Sequence, residues 1–347
     1  MRIGILTWFF GSNYGAKAQS YALQKVIQSY EIDAFMIDYR HANYKRINRE
    51  MNYNYPNVKL HPVRYYKCLA RNKLLSDTER LYNLTCKVDC SKDIDSLSLD
   101  AIIFGSDAIF NTKHPFFEPL YMGVDIHTAK IAYSASCENL PPNYLLSREE
   151  VDSLQEFKAI SVRDCNTQEL LINNGINKPS ITCDPTILYD FNDITCEWKF
   201  RNYILVYSFS EWNDFASEMK LFANKHKISI LSIGRYCDWA DFSIDDASFE
   251  QWIAAFKYAE FVFTDSFHGT VFALKNRKEL ILVSREDKKA KIKSLLRDCK
   301  INRGFIESGE SIETYINQSI IDYDVVENRL ADLKDRSLNY LRKALNL

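Results

Sequence analysis

The sequence predicts an α/β protein of two Rossmann-like domains facing a central cleft. Short apolar runs alternate with longer amphipathic segments, the pattern of strands and helices in largely parallel sheets. The alternation runs through once before about residue 195 and again after it, and 347 residues suit two ordinary cores better than one. Polar, glycine-bearing motifs fall where apolar runs end, which is where open α/β sheets bind their ligands.

In order along the chain, strands are expected at Ile3–Trp8, Ala34–Ile37, Ala101–Phe104, Ile131–Ala135, Ala159–Val162 and Ser180–Cys183. Helices are expected between them at Ala16–Ser29, Arg148–Phe157 and Thr167–Asn174. Ser147 and Glu150 stand at capping-box spacing before the second of these, and Gly175 stands where the third would end. The polar, tyrosine-rich stretch 41–98 lacks clean periodicity and reads as a helical insertion with loops. The second half repeats the pattern, with strands at Tyr203–Phe209, Ile228–Ile233, Phe261–Thr264 and Leu280–Val283. Its helices are expected at Trp212–Lys225, Phe249–Tyr258, His268–Lys275 and Lys288–Cys299, with Ser248 and Gln251 as another capping box. A charged helix, Tyr323–Leu345, is long enough to cross back to the first domain. The expected domains are therefore 1–195, 196–322 and a returning helix at 323–347.

Composition narrows the function. The chain is 46% hydrophobic and 26% charged, as soluble globular proteins are. A net charge of −2 gives no general electrostatic support for nucleic-acid binding. The nine cysteines are scattered and form no Cys-x-x-Cys pair, which suits reduced thiols in the cytoplasm, not a disulfide framework or a zinc site. No apolar run approaches the roughly 18 residues of a membrane span, and the one at the N-terminus reads as a strand.

Four motifs sit at expected strand ends. Gly11-Ser-Asn13-Tyr14-Gly15-Ala-Lys17 joins the first strand to the first helix. It is either a tight βα turn or a cradle that offers helix N–H groups to an anion. Its spacing is not that of a dinucleotide-binding loop. Ser106 and Asp107 in Phe-Gly-Ser-Asp, and Ser136 in Ala-Tyr-Ser-Ala-Ser, are ligand contacts or turn and core hydrogen-bonders, with Ser134 better read as core. Arg163, in Ser-Val-Arg-Asp, suits a carboxylate or phosphate, or else an ion pair with Asp164 or a neighbouring Asp. Asp184, in Cys-Asp-Pro-Thr, either orients a catalytic group or caps its turn.

The fourth motif, Thr264-Asp265-Ser266-Phe267-His268-Gly269-Thr270, is the sharpest. Ser266 can cap the following helix, whose free N–H groups and dipole favour an anion. Gly269 would keep that entrance open. His268 is the histidine placed in a strand-to-helix turn and can move a proton near neutral pH. His41, His61, His114, His127 and His226 fall in loops or on polar faces. No pair has metal-ligand spacing, and neither a Walker loop nor a serine nucleophile elbow is present.

Taken in order, Thr-Trp…Gly-Ser-Asn-Tyr-Gly-Ala-Lys-Ala-Gln-Ser-Tyr-Ala-Leu-Gln, Gly-Ser-Asp-Ala-Ile-Phe-Asn, Ala-Tyr-Ser-Ala-Ser, Ser-Val-Arg-Asp, Asp-Pro-Thr and Thr-Asp-Ser-Phe-His-Gly-Thr make the chain resemble the polysaccharide pyruvyltransferases. The resemblance implies a fold similar to the GT-B glycosyltransferase architecture, with phosphoenolpyruvate as donor substrate and no cofactor. It implies a pyruvate ketal formed on a sugar of a surface polysaccharide or of its lipid-linked precursor, in the cytoplasm or at the inner face of the cytoplasmic membrane. It maps the family's histidine onto His268 and its strand-end arginine onto Arg163. Many members carry Arg-Leu before that histidine, where this chain has Ser266 and Phe267; Arg235, Arg285 and Arg303 are the candidates to replace the lost charge. Ala108, Phe110, Cys137, Glu138 and Lys17 are further departures.

On this reading His268 is the acid or base and Asp184 its catalytic companion. Arg163 grips the donor, and the backbone of Phe267–Thr270 holds phosphate. Asn13, Tyr14, Gly15, Lys17, Ser106, Asp107 and Ser136 complete the substrate contacts. Tyr44, Tyr53, Tyr55, Tyr65 and Tyr66 in the insertion either pack it, stack on sugars or lie at a membrane edge. Two rivals remain: a glycosyltransferase using a nucleotide sugar, and a non-catalytic polysaccharide-assembly protein.

Overall fold

Ile3, Ile5 and Leu6 are all fully buried on Arg2–Leu6 (β1), so this strand is covered on both faces, as a central strand of a parallel sheet must be. In the computed structural model, which describes residues 1–53, 62–284 and 289–347, β1 lies at the middle of the first of two α/β units. That unit holds Met1–Ile47, Glu79–Asp190 and Ala331–Leu347; the second holds Asn48–Thr78 and Phe191–Leu330.

After β1 come Tyr14–Gln28 (α1), Asp33–Tyr39 (β2), Tyr44–Tyr53 (α2), Pro62–Asp77 (α3), Leu84–Val88 (β3), Ser91–Asp95 (α4) and Ala101–Asp107 (β4). Lys130–Ala135 (β5), Arg148–Gln155 (α5), Ala159–Val162 (β6), Cys165–Asn173 (α6), Ser180–Ile181 (β7) and Pro185–Leu188 (α7) follow. The seven strands are parallel in the order β3-β2-β1-β4-β5-β6-β7. The order reverses at β1 and β4, where Leu6 pairs with Phe104, and their carboxyl ends make the crevice of this unit.

The second unit contains Tyr203–Tyr207 (β8), Ala216–His226 (α8), Ser229–Ile233 (β9), Phe242–Ile244 (β10), Phe249–Tyr258 (α9), Phe261–Thr264 (β11), Phe267–Lys275 (α10) and Glu279–Leu282 (β12). Lys289–Asp298 (α11), Ile312–Gln318 (α12) and the first turns of Tyr323–Leu345 (α13) complete it. Its five parallel strands run β10-β9-β8-β11-β12, reversing between β8 and β11, where Tyr207 pairs with Thr264. Val206, Phe215, Met219, Phe222, Phe263 and Ile281 form part of its core. From Ala331 onward α13 belongs to the first unit, where the Tyr340 hydroxyl donates to the Ala132 carbonyl at 2.8 Å.

The strand ladder of the sequence reading is present, with two additions. Leu84–Val88 sits inside the stretch expected to be helical insertion and loops, yet it is an edge strand beside β2. Its mostly exposed or half-exposed side chains give it no apolar run to announce it. Phe242–Ile244, only three residues long, is the edge of the second sheet. Tyr55, His61, Arg285 and the side chain of Tyr53 lie outside the described residues. Among the described residues, no helix is long and apolar enough to cross a membrane. No disulfide joins any of the nine cysteines.

Candidate active site

At the carboxyl end of β11 the chain turns through Asp265 and Ser266 into α10. Ser266 is the helix cap: its Oγ accepts the Gly269 N–H at 2.9 Å, and its carbonyl accepts both the N–H and the hydroxyl of Thr270. Thr264 locks the entry from below, donating its hydroxyl to the Tyr207 carbonyl at 2.6 Å and accepting the Ser266 N–H at 3.1 Å. Gly269 does not hold the entrance open, as the sequence reading expected. A Cβ there would lie 2.3 Å from Thr264 Oγ1 and 2.7 Å from Ser266 Oγ, so the glycine lets the helix start close against the strand end. Two of the N–H groups expected to hold phosphate, those of Gly269 and Thr270, are engaged within this turn. Phe267 is buried against the unit, while His268, the next residue, is half-buried.

Asp265 was not singled out from the sequence, yet it organises the neighbouring loop. It is fully buried and accepts the Phe209 N–H at 2.9 Å, the Ser210 N–H at 3.1 Å, the Ser208 hydroxyl at 3.1 Å and the Trp212 indole N–H at 3.0 Å. The carboxylate thereby ties the loop leaving β8 to the turn leaving β11, on both sides of the crevice in this sheet.

The first unit has a second polar centre at the ends of β1, β4, β6 and β7. Gln19, fully buried on α1, accepts the Ser106 N–H at 3.3 Å and donates to Thr7 Oγ1 at 3.1 Å; Thr7 donates to the Ser106 carbonyl at 3.1 Å. The Ser106 hydroxyl reaches the Ser134 carbonyl at 3.0 Å and Asp184 Oδ2 at 3.3 Å. Arg163 Nη1 donates to the same Oδ2 at 3.0 Å, and the Arg163 side chain is only 3% exposed. Burial works against its charge, but Asp184, Asp107 and Asp164 outweigh it and raise its pKa. Gly105 makes this packing possible: at φ +147° a Cβ would lie 1.9 Å from the Tyr133 carbonyl oxygen.

Of the readings left open for Arg163, the structure contains the ion pair, and the partner is Asp184. Asp164 caps α6, accepting the Thr167 N–H at 2.8 Å, and also accepts the Ser136 hydroxyl at 2.8 Å. Asp184 caps its own turn as well, through the Thr186 N–H at 3.0 Å.

A family model described as polysaccharide pyruvyl transferase matches residues 13–287. The chain belongs to that family. Its fold is that of UDP-GlcNAc 2-epimerase from Neisseria meningitidis bound to UDP-GlcNAc, at TM-score 0.55 and 10% identity over 99% of each chain. It is also that of S. aureus MnaA in complex with UDP, at TM-score 0.54 and 11% identity over 100% of this chain and 97% of that one. At such identities the likeness shows the fold alone, and the GT-B-like class expected from the sequence stands. No curated protein matches the sequence.

The remaining residues singled out in this pyruvyl transferase family member fall as follows. Asn13 caps α1, its Oδ1 accepting the N–H groups of Gly15 at 2.9 Å and Ala16 at 3.3 Å. Tyr14 and Gly15 are buried behind it. Lys17 is fully buried, donates to the Phe9 carbonyl at 3.0 Å, and has its pKa pushed down by burial to about 8. Asp107 is half-buried in a left-handed conformation at φ +68°. The Arg303 guanidinium is buried on Glu279 and the carbonyls of Leu280, Ile316 and Ser319. Among the described residues, no group of three or more His, Cys, Asp or Glu is placed to hold a metal ion.

Proposed function

We propose that the protein moves the enolpyruvyl group of phosphoenolpyruvate onto sugar hydroxyls and closes it as a pyruvate ketal, in a bacterial surface polysaccharide or its lipid-linked precursor. The observation that carries this reading is the family match over 13–287, which includes the Asp265–Thr270 turn with its half-buried imidazole.

The reaction protonates the methylene carbon of the donor and joins a sugar oxygen to the neighbouring carbon. A second hydroxyl then displaces phosphate from that carbon, giving the ketal and inorganic phosphate. Each hydroxyl surrenders a proton, one matching that added to carbon and the other leaving with phosphate. His268 is assigned this proton traffic: it takes the hydroxyl proton as the oxygen attacks, or gives a proton to the departing phosphate. Its position in the first turn of α10 puts it in the positive field of the helix start, which favours the donor's anionic groups. Arg163 is assigned to act through Asp184. Its Nη1 lies on that carboxylate and its side chain is almost wholly enclosed, which suits positioning better than direct grip of the donor.

The test is incubation of the purified chain with phosphoenolpyruvate and galactose- or mannosamine-type acceptors, following phosphate release. Release that requires both donor and acceptor is expected. Nucleoside diphosphate release from a nucleotide sugar, with no phosphate release from phosphoenolpyruvate, would replace this reading with that of a glycosyltransferase.

A further inference from the structure

Three strand ends of the first unit gather an aromatic cluster around one carboxyl group. Trp8 and Phe10 follow β1, Tyr39 ends β2 with His41 just after it, and His114, Phe116 and Glu118 lie in the connection that follows β4. These strands are neighbours in the order β2-β1-β4, so the cluster stands at the carboxyl edge where the strand order reverses. All of these residues belong to the first unit. Phe116 packs edge-on against buried Trp8, with ring centroids 6.3 Å apart at 71°, and against buried Phe10, at 5.7 Å and 74°. His114 lies on the Trp8 ring with centroids 4.2 Å apart, and its Nδ1 accepts the Phe116 N–H at 3.1 Å. The Phe116 ring is thereby fixed, yet it stays half-buried, not enclosed.

Glu118 stands two residues further on. Its Oε2 accepts the Tyr39 hydroxyl, and its Oε1 lies 3.4 Å from His41 Nε2. The His41 ring in turn lies against Phe116, with centroids 6.4 Å apart, and so bridges the carboxyl group and the aromatic ring. His41 Nδ1 accepts the Asn43 N–H at 3.0 Å, which leaves the proton on Nε2 and makes the imidazole facing Glu118 neutral. Burial first, and Arg46 second, lower the His41 pKa and keep it in that form. Among the described residues no Lys or Arg is paired with Glu118, and burial raises the pKa of its carboxyl group. A side chain that only fastened the loop would not need this arrangement. A neutral amide would accept the Tyr39 hydroxyl without the cost of enclosing a charge. With 29% of its side chain exposed, Glu118 is still within reach of a ligand from solvent.

We propose that Phe116 and Glu118 form a saccharide subsite, in which the ring takes the C–H face of a neutral pyranose and the carboxyl group takes its hydroxyls. A pyranose carries apolar C–H groups on a face and hydroxyl donors around its rim. A fixed, half-open aromatic ring with a carboxyl acceptor beside it meets both surfaces at once. A carboxyl group with no cation next to it disfavours phosphate and other anions, so this subsite suits the sugar and not the donor. The assignment rests on the transferase reading only for the role of that sugar: the residue that receives the pyruvyl group, or its neighbour in the same glycan.

Saturation-transfer difference NMR on the whole chain tests the proposal, with the methyl pyranosides of galactose, glucose and mannose and N-acetylmannosamine as probes and no donor present. Saturation of the C–H protons of at least one of these sugars is expected. Glu118→Gln keeps an acceptor for the Tyr39 hydroxyl, and Phe116→Leu keeps the packing apolar. Each should weaken binding of that sugar at least about fivefold, the worth of one hydrogen bond or one ring contact. Lys92→Gln, on the exposed side of α4, should change nothing. No saturation transfer from any of the sugars, or affinity unchanged in both variants, overturns the subsite. So does a loss seen only together with a large fall in melting temperature, which would make the cluster a fastener of the loop. In turnover, a raised acceptor KM in Glu118→Gln at unchanged phosphoenolpyruvate KM makes the bound sugar the receiving residue; an unchanged acceptor KM makes it the neighbour. Because sugar binding is read without donor, failure of phosphate release from phosphoenolpyruvate would count against the proposed reaction and leave this result intact.

Discussion

The indole N–H of Trp212 donates to Asp265 Oδ2 at 3.0 Å, fastening the loop after β8 to the residue just ahead of the α10 cap. The same carboxylate takes two backbone N–H groups and a serine hydroxyl. The turn bearing His268 and the loop after β8 therefore share one anchor.

Replacing that anchor should be costly. Asp265→Ala leaves partly buried donors on Phe209, Ser210 and Trp212, and the buried Ser208 hydroxyl, without this acceptor, each worth up to about 1–3 kcal/mol. A loss of about 3 kcal/mol or more is expected in urea unfolding, with a shift in tryptophan emission. A loss under about 1 kcal/mol would mean the loop finds other partners.

His268→Ala should behave in the opposite manner. The side chain is half-buried and is not the cap, so the unfolding midpoint should hardly move. Phosphate release from phosphoenolpyruvate should fall by roughly 10²–10⁴-fold, the usual worth of a positioned acid or base. Near-normal turnover would remove the imidazole from the reaction.

Arg163 and Asp184 should show strong coupling. Arg163→Ala strands a fully buried carboxylate and should cost about 3–5 kcal/mol; Asp184→Ala should cost a similar amount by stranding the guanidinium. The double variant should lose clearly less than the two single losses combined. Simple additivity would show that the pair is not an energetic unit.

Lys17 gives a pH signature. Its folded pKa, about 8, lies below its ordinary 10.5, with burial the main cause, Glu79 opposing and Arg40 adding. Between those values the unfolded chain binds the extra proton, so stability rises with pH across this window. Wild-type protein should gain on the order of 3 kcal/mol relative to Lys17→Met between about pH 7.5 and 10.5. Parallel stability curves for the two proteins would refute the lowered pKa.

Much of this architecture was legible because its signals are local. Phe249–Tyr258 begins at the Ser248–Gln251 capping box, and both of its reciprocal bonds are present. Phe261–Thr264 is an apolar run ending in Asp-Ser, and it is a central strand with a capped helix behind it. What escaped was set by distant partners. Gln19 looks like any polar residue on a helix until Thr7 and Ser106 are seen on either side of it. Gly269 suggested an open entrance because the sequence does not show Thr264 folding back onto it.

The long helix α13 starts in the second unit and finishes in the first, where Ser337 Oγ accepts the Cys183 N–H at 2.9 Å and Tyr340 reaches Ala132. The segment that supplies these contacts to β5 and to the turn after β7 is therefore synthesised only after all of 191–330. Removal of 331–347 should therefore destabilise the first unit, although most of that unit is made long before this segment.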